Sequence, residues 1–190
     1  MAKLSKELSE AICDMPAADK NKLLLKLVAK DEWLIESLNF ELVEHKSTNQ
    51  ARVERLKSHI ENTLNHSMLI QFFTPGELLM AFRNCNARIK ENTKITKNAW
   101  GEVELICYML HTGFVLHENR LKITYESRHR YDTLTTYTTK KMAELLLKMD
   151  KFHEDMHLEL RPKINRCLGM MWQNNNFINA CKTEKLPKKI

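Results

Sequence analysis

The sequence predicts an all-α protein of about eight helices, and three observations predict it. Apolar residues recur at alternating three- and four-residue steps through most of the chain, the spacing that lines one face of an α-helix. Only four Gly and four Pro punctuate 190 residues, so turns are few and elements long. No segment shows the strand pairing signals that a sheet needs.

Taken in order, Lys3 to Asp14 reads as a short amphipathic helix through Leu4, Leu8, Ala11 and Ile12, stopped by Pro16, which suits the first turn of the next. Leu23, Leu24, Leu25, Leu27 and Val28 give that second helix a wide apolar face. Asp31 stands where an N-cap belongs, ahead of Trp33, Leu34, Leu38 and Leu42, in a helix expected to end near His45. Ser47 and Gln50 have the spacing of a capping box, and Val53, Leu56, Ile60 and Leu64 extend a third long helix into the late sixties. The leucine cluster Leu23 to Leu27, Asp31, and the Leu34, Ile35, Leu38 group resemble HEAT or armadillo-type helical repeats. That resemblance implies a protein-binding scaffold over roughly the first third of the chain.

Thr74-Pro75-Gly76-Glu77 is the sharpest boundary: Thr as N-cap, Pro at the first helical position and Glu at the third. The helix it opens carries Leu78, Leu79 and Phe82 and is expected to give out near Asn92, before a polar linker over Thr93 to Asn98. Another begins near Ala99, burying Val103, Ile106 and Leu110. From Phe114 to Arg161 there is neither Gly nor Pro, so helix is expected on both sides of Thr133 to Thr139, whose branched side chains favour a bend or break, a short strand there being disfavoured for want of a partner strand. Lys140 to Leu160 reads as one helix with Leu146, Met149, His153, Met156 and Leu160 on its buried face. Pro162 marks a kink or stop, and a final helix through Ile164, Leu168, Met171 and Trp172 is expected to end at the Asn174–Asn176 run. The expected organisation is a repeat-like subdomain over 1–72, a helical bundle over 74–180 and a frayed basic tail over 181–190.

Charge divides the chain unevenly. Met1 to Met80 holds 10 Lys/Arg against 12 Asp/Glu, whereas Ala81 to Ile190 holds 20 against 12, a net of +8. A basic half implies an anionic partner, nucleic acid or a ribonucleoprotein. The densest stretch is Arg120, Lys122, Tyr125, Arg128, Arg130, Tyr131, Lys140 and Lys141, where cations that hold phosphates alternate with rings on which bases stack. Arg83, Arg88, Lys90, Lys94 and Lys97, with Arg161, Lys163 and Arg166, extend the patch if the helices lie side by side.

Two metal patterns compete with that expectation. His153-Glu154-Asp155-Met156-His157 spells H-E-x-x-H, in which two His one helical turn apart hold Zn and the Glu activates bound water. A zincin needs a third ligand, and only Glu159 and Glu184 follow His157 among His and acidic residues. Glu126-x-x-His129 and Glu154-x-x-His157 also have the form of carboxylate-bridged Fe sites in four-helix bundles, with Glu77 and Glu102 or Glu104 completing the set. The glycines are too scattered for a phosphate-binding turn. Cys107 and His111 lie one turn apart without otherwise forming a nucleophile pair. The five cysteines contain no C-x-x-C and suit reduced thiols packed as small hydrophobes.

No apolar run approaches the roughly 18 residues of a membrane span. Residues 1–15 are charged and amphipathic, unlike a secretory signal, so a cytoplasmic location is expected. The function expected is therefore non-enzymatic: a helical binding or adaptor protein whose basic half contacts nucleic acid, needing no cofactor. The alternatives are a Zn or Fe metalloprotein centred on His153, Glu154 and His157, and a protein–protein scaffold.

Overall fold

In a computed structural model, the described residues are 4–44, 47–69, 74–122 and 128–190, with the backbone alone for 128–130. They form eleven helices and, among the described residues, no strand. The chain divides into two compact units, Met1–Ser47 and Thr48–Ile190.

The first unit comprises α1 (Lys6–Asp14), α2 (Ala17–Val28) and α3 (Glu32–Leu38), the last running into a π turn at Asn39–Val43. Ser5 and Asp31 act as N-caps, accepting from the amides of Leu8 and Leu34. Lys20 Nζ donates to the Cys13 carbonyl at 2.5 Å, tying α2 to the end of α1. Phe40 is the sole buried apolar side chain among residues 4–44.

The second unit is built round α6 (Ala99–Leu116), which packs against α4 (Asn49–Met68), α5 (Pro75–Thr96), α8 (Arg128–Met149) and α10 (Arg161–Gln173). Short α7 (Glu118–Leu121) and α9 (Glu154–His157) lie in the connections, and α11 (Asn175–Thr183) bridges α8 and α10. A helix surrounded on all sides must be apolar all round. In α6 Val103, Leu105, Ile106, Cys107, Met109, Leu110 and Phe114 are all buried. Its two carboxylates face neighbours instead of water: Glu102 reaches Lys148 of α8 at 2.5 Å and Glu104 reaches Lys57 of α4 at 2.6 Å. Gly113 lets α5 approach, since a methyl there would overlap the fully buried Phe82 ring.

The Thr74 capping box forms as its sequence requires, with the Glu77 carboxylate accepting from the Thr74 amide at 2.7 Å. Several other expectations need correction. Helix α4 belongs with the C-terminal helices, because Val53, Ile60 and Leu64 are buried in their core. The Ser47 box is absent: the Ser47 hydroxyl donates to Glu44 O at 2.6 Å, and α4 starts behind Thr48 without a side-chain cap bond. Helix α5 runs on to Thr96, as the Thr93 and Thr96 hydroxyls turn back onto the carbonyls of Ile89 and Asn92. Helix α8 likewise runs unbroken through its threonines, and the buried hydroxyls of Thr138 and Thr139 are satisfied by Leu134 O and Thr135 O one turn back.

Lys140 to Leu160 is not one helix. It stops at Met149, and Phe152 in the following turn packs edge-on against Trp100 at 5.2 Å. The Asn174–Asn176 run begins a helix, α11, because Asn174 is extended and accepts from the Asn176 amide. Nor is the tail frayed. Leu186 is buried, Trp172 Nε1 donates to Pro187 O at 3.1 Å, and Asn165 exchanges two hydrogen bonds with the Ile190 backbone. Among the described residues no helix is long and apolar enough to cross a membrane.

Candidate nucleic-acid interface

The eight residues proposed from sequence for nucleic-acid contact separate into distinct roles. Arg120 donates to the carbonyls of Ser67 and Met68 at 3.4 and 2.8 Å, closing the last turn of α4. Tyr131, 3% exposed, donates its hydroxyl to Arg120 O and Leu121 O. Lys141, 8% exposed, is paired with Glu144 at 2.5 Å, which with Lys148 holds that carboxyl below its ordinary range against the opposing cost of burial. These three are engaged within the fold. Lys122 is exposed and paired with Glu118 at 2.9 Å. Tyr125 and the side chains of Arg128 and Arg130 lie outside the described residues. Lys140 alone of the eight combines described exposure with freedom from ion pairing among the described residues.

Lys140 stands at one end of a groove of about 420 Å³ between α5 and α8, lined also by Arg83, Asp132, Thr133, Thr136 and Tyr137. The Arg83 guanidinium lies 5.9 Å from the centre of the Tyr137 ring. Burial pushes the Tyr137 phenol up to about 12, so it stays neutral, and among the described residues its buried hydroxyl oxygen has no hydrogen-bond partner. Beyond Arg83 along α5 come Lys90, Lys94 and Lys97, at steps of seven, four and three residues that keep them on one stripe. At 1.5 Å per residue the stripe is about 21 Å long. All four are exposed, and among the described residues none forms an ion pair. Arg88, on another face, is paired with Glu91 at 3.2 Å.

Lys97 occupies a left-handed position, φ 55°, at the C-cap of α5, where glycine would carry no Cβ penalty. A cation therefore stands where backbone preference alone would select glycine. The larger groove between α4 and α5, about 570 Å³ and lined by Thr63, His66, Met80 and Asn84 among others, contains no lysine or arginine.

The metal candidates are placed differently from what H-E-x-x-H requires. His153 lies outside the helix as the exposed N-cap of α9, with Nδ1 accepting from the Asp155 amide at 3.3 Å. His157 is buried, with Nε2 2.8 Å from the Met149 carbonyl. A carbonyl only accepts, so that nitrogen carries hydrogen and has no lone pair to offer a metal. Glu154 is exposed. Glu77, Glu102 and Glu104 are engaged with Thr74, Lys148 and Lys57, while Glu126 and the His129 side chain lie outside the described residues. Among the described residues no group of three or more His, Cys, Asp or Glu is placed to hold a metal ion.

Cys85, Cys107, Cys167 and Cys181 are buried free thiols, and desolvation pushes Cys107 up to about 12. It is a protonated packing residue at neutral pH. His111 is lowered by burial and by the charges of Arg166 and Lys163. No protein-family model matches the chain, and no curated protein or solved structure matches it.

The sequence signal for the stripe was the 83, 90, 94, 97 spacing, which becomes one face only when the helix extends through Thr96. The contribution of Asp132 and the Arg83–Tyr137 contact had no local signal, since α5 and α8 are brought together by tertiary packing.

Proposed function

We propose that this chain is a non-enzymatic helical adaptor that binds single-stranded nucleic acid across the α5/α8 face of its C-terminal unit. The observation that carries this is the stripe of exposed cations Arg83, Lys90, Lys94 and Lys97, in no ion pair among the described residues, beside a groove holding Lys140 and the Tyr137 ring. Cations at helical spacing hold successive phosphates, and a planar guanidinium backed by an aromatic ring accepts a base, which a duplex would keep stacked inside. The 21 Å stripe matches about six stacked nucleotides at a rise of about 3.4 Å each. The division of charge agrees: residues 48–190 hold 23 Lys/Arg against 15 Asp/Glu, while residues 1–47 hold 7 against 9.

Binding of a labelled single-stranded RNA to the full chain, measured from 50 to 200 mM salt, tests the proposal. Five phosphate contacts give a slope of log K against log salt of about −3.5. Lys90→Glu with Lys94→Glu should weaken binding more than tenfold at low salt and flatten that slope. Unchanged affinity in the double variant would contradict the proposal.

A second function, protein binding through the N-terminal helices, is favoured by nine exposed large apolar residues among those described there, including Leu25 at 70% and Val43 at 69%.

A further inference from the structure

We infer that the α5/α8 groove takes one base of the bound strand and that Asp132 makes guanine the base it prefers; this rests on the nucleic-acid function proposed above. Among the described residues the groove presents two cations, Arg83 and Lys140, and a single carboxylate, Asp132. Among the described residues that carboxylate enters no ion pair, although cations share its groove. A surface serving phosphate alone gains nothing from it, because a carboxylate repels phosphate. Its oxygens only accept hydrogen bonds, so a ligand that uses Asp132 must bring donors.

The four bases differ in what they bring. Guanine presents two adjacent donors on its Watson–Crick edge, N1–H and the N2 amino group, and a carboxylate can accept both at once. Adenine and cytosine present one amino donor next to a bare ring nitrogen, which would face the second carboxylate oxygen. Uracil places its N3–H between two carbonyls. Guanine is therefore the one base whose edge complements Asp132 without an opposed acceptor.

The remaining lining suits the same occupant. The planar Arg83 guanidinium, backed by the Tyr137 ring 5.9 Å away, offers a cation against which a base can lie. Lys90, Lys94 and Lys97 continue away from the groove along α5, placing three of the five phosphate contacts on a surface that Asp132 does not share.

The test is fluorescence anisotropy of the full chain at fixed low salt with labelled single-stranded octamers of uridine. The central position is U, A, C, G or inosine, which keeps N1–H but lacks the N2 amino group. The G octamer should bind about tenfold tighter than the U octamer, with inosine between them. Asp132→Asn should bring G within twofold of U while raising affinity for the U octamer, since a repelling charge is lost. Equal affinity for all five octamers would overturn the guanine assignment and leave phosphate binding standing. Retention of the G preference in Asp132→Asn would overturn the role of Asp132. Failure of every octamer to bind would overturn the underlying nucleic-acid function as well.

Discussion

The two units use the same ingredients to different ends. Both contain amphipathic helices opened by side-chain N-caps, yet residues 4–44 bury one apolar side chain, Phe40, while the helices from α4 onward bury a contiguous core through Leu64, Phe82, Leu110, Leu134 and Phe177. What separates them is α6. A helix apolar on every side gives each neighbour a surface to cover, whereas the leucines of α2 remain largely exposed. Periodicity decides which face of a helix is apolar; a central element decides whether that face is buried.

The largest expected effect comes from separating the units. Residues 48–190 alone should unfold in one cooperative urea transition, and residues 1–47 alone should lose most of their helicity by circular dichroism, because so little apolar surface is buried within them. A cooperative transition in the short fragment would break the contrast. Next is Phe82→Ala, which removes a fully buried ring from the α5–α6 contact and should cost about 3 to 5 kcal/mol in chemical denaturation.

Titration of His117 should be nearly as large. Its Nε2 lies 2.9 Å from Ser67 Oγ, whose own hydrogen goes to Leu64 O at 2.6 Å, so Nε2 carries a hydrogen and donates it to Ser67. Burial and then the Arg120 charge lower the ring's pKa to about 4. The unfolded chain therefore takes up a proton, between about pH 6.5 and 4, that the folded chain does not. Stability is complete above that window and falls by about 3 kcal/mol as pH drops through it. His111, also lowered, acts in the same direction. Denaturation curves of His117→Asn across this range should show a markedly weaker pH dependence than the parent; an unchanged slope would show that His117 is not its source.

A smaller effect sharpens the functional side. Lys97→Gly should raise stability by about 0.5 to 1 kcal/mol by relieving the left-handed lysine, while weakening RNA binding. Lys185→Gly, at the other left-handed position with φ 52°, should share the stabilisation without the loss of affinity. Smallest of all, Leu25→Ser at a 70% exposed position should change stability by less than about 0.5 kcal/mol in thermal melts.

These contrasts also explain what the sequence could reveal. Thr74-Pro75-Gly76-Glu77 encodes its cap in four residues and forms it. The threonines of α8 read as helix breakers because propensity counts branched side chains but not the hydroxyl bonds that Thr138 and Thr139 make once buried. His153 and His157 look like one helical face only if the helix continues, and it ends at Met149, ahead of the turn in which Phe152 meets Trp100. Lys140 and Lys141 are adjacent in sequence, yet Lys140 is exposed at the groove and Lys141 is paired with Glu144. Charge density is visible in a sequence; which charges are already paired is settled by packing.

The most direct test of the central claim is a hydrogen-exchange footprint of the full chain saturated with a single-stranded RNA octamer. The account predicts added protection concentrated in residues 83–97 and 132–140, with residues 4–44 unchanged. Protection confined to the N-terminal helices, or none on α5 and α8 at saturation, would contradict it.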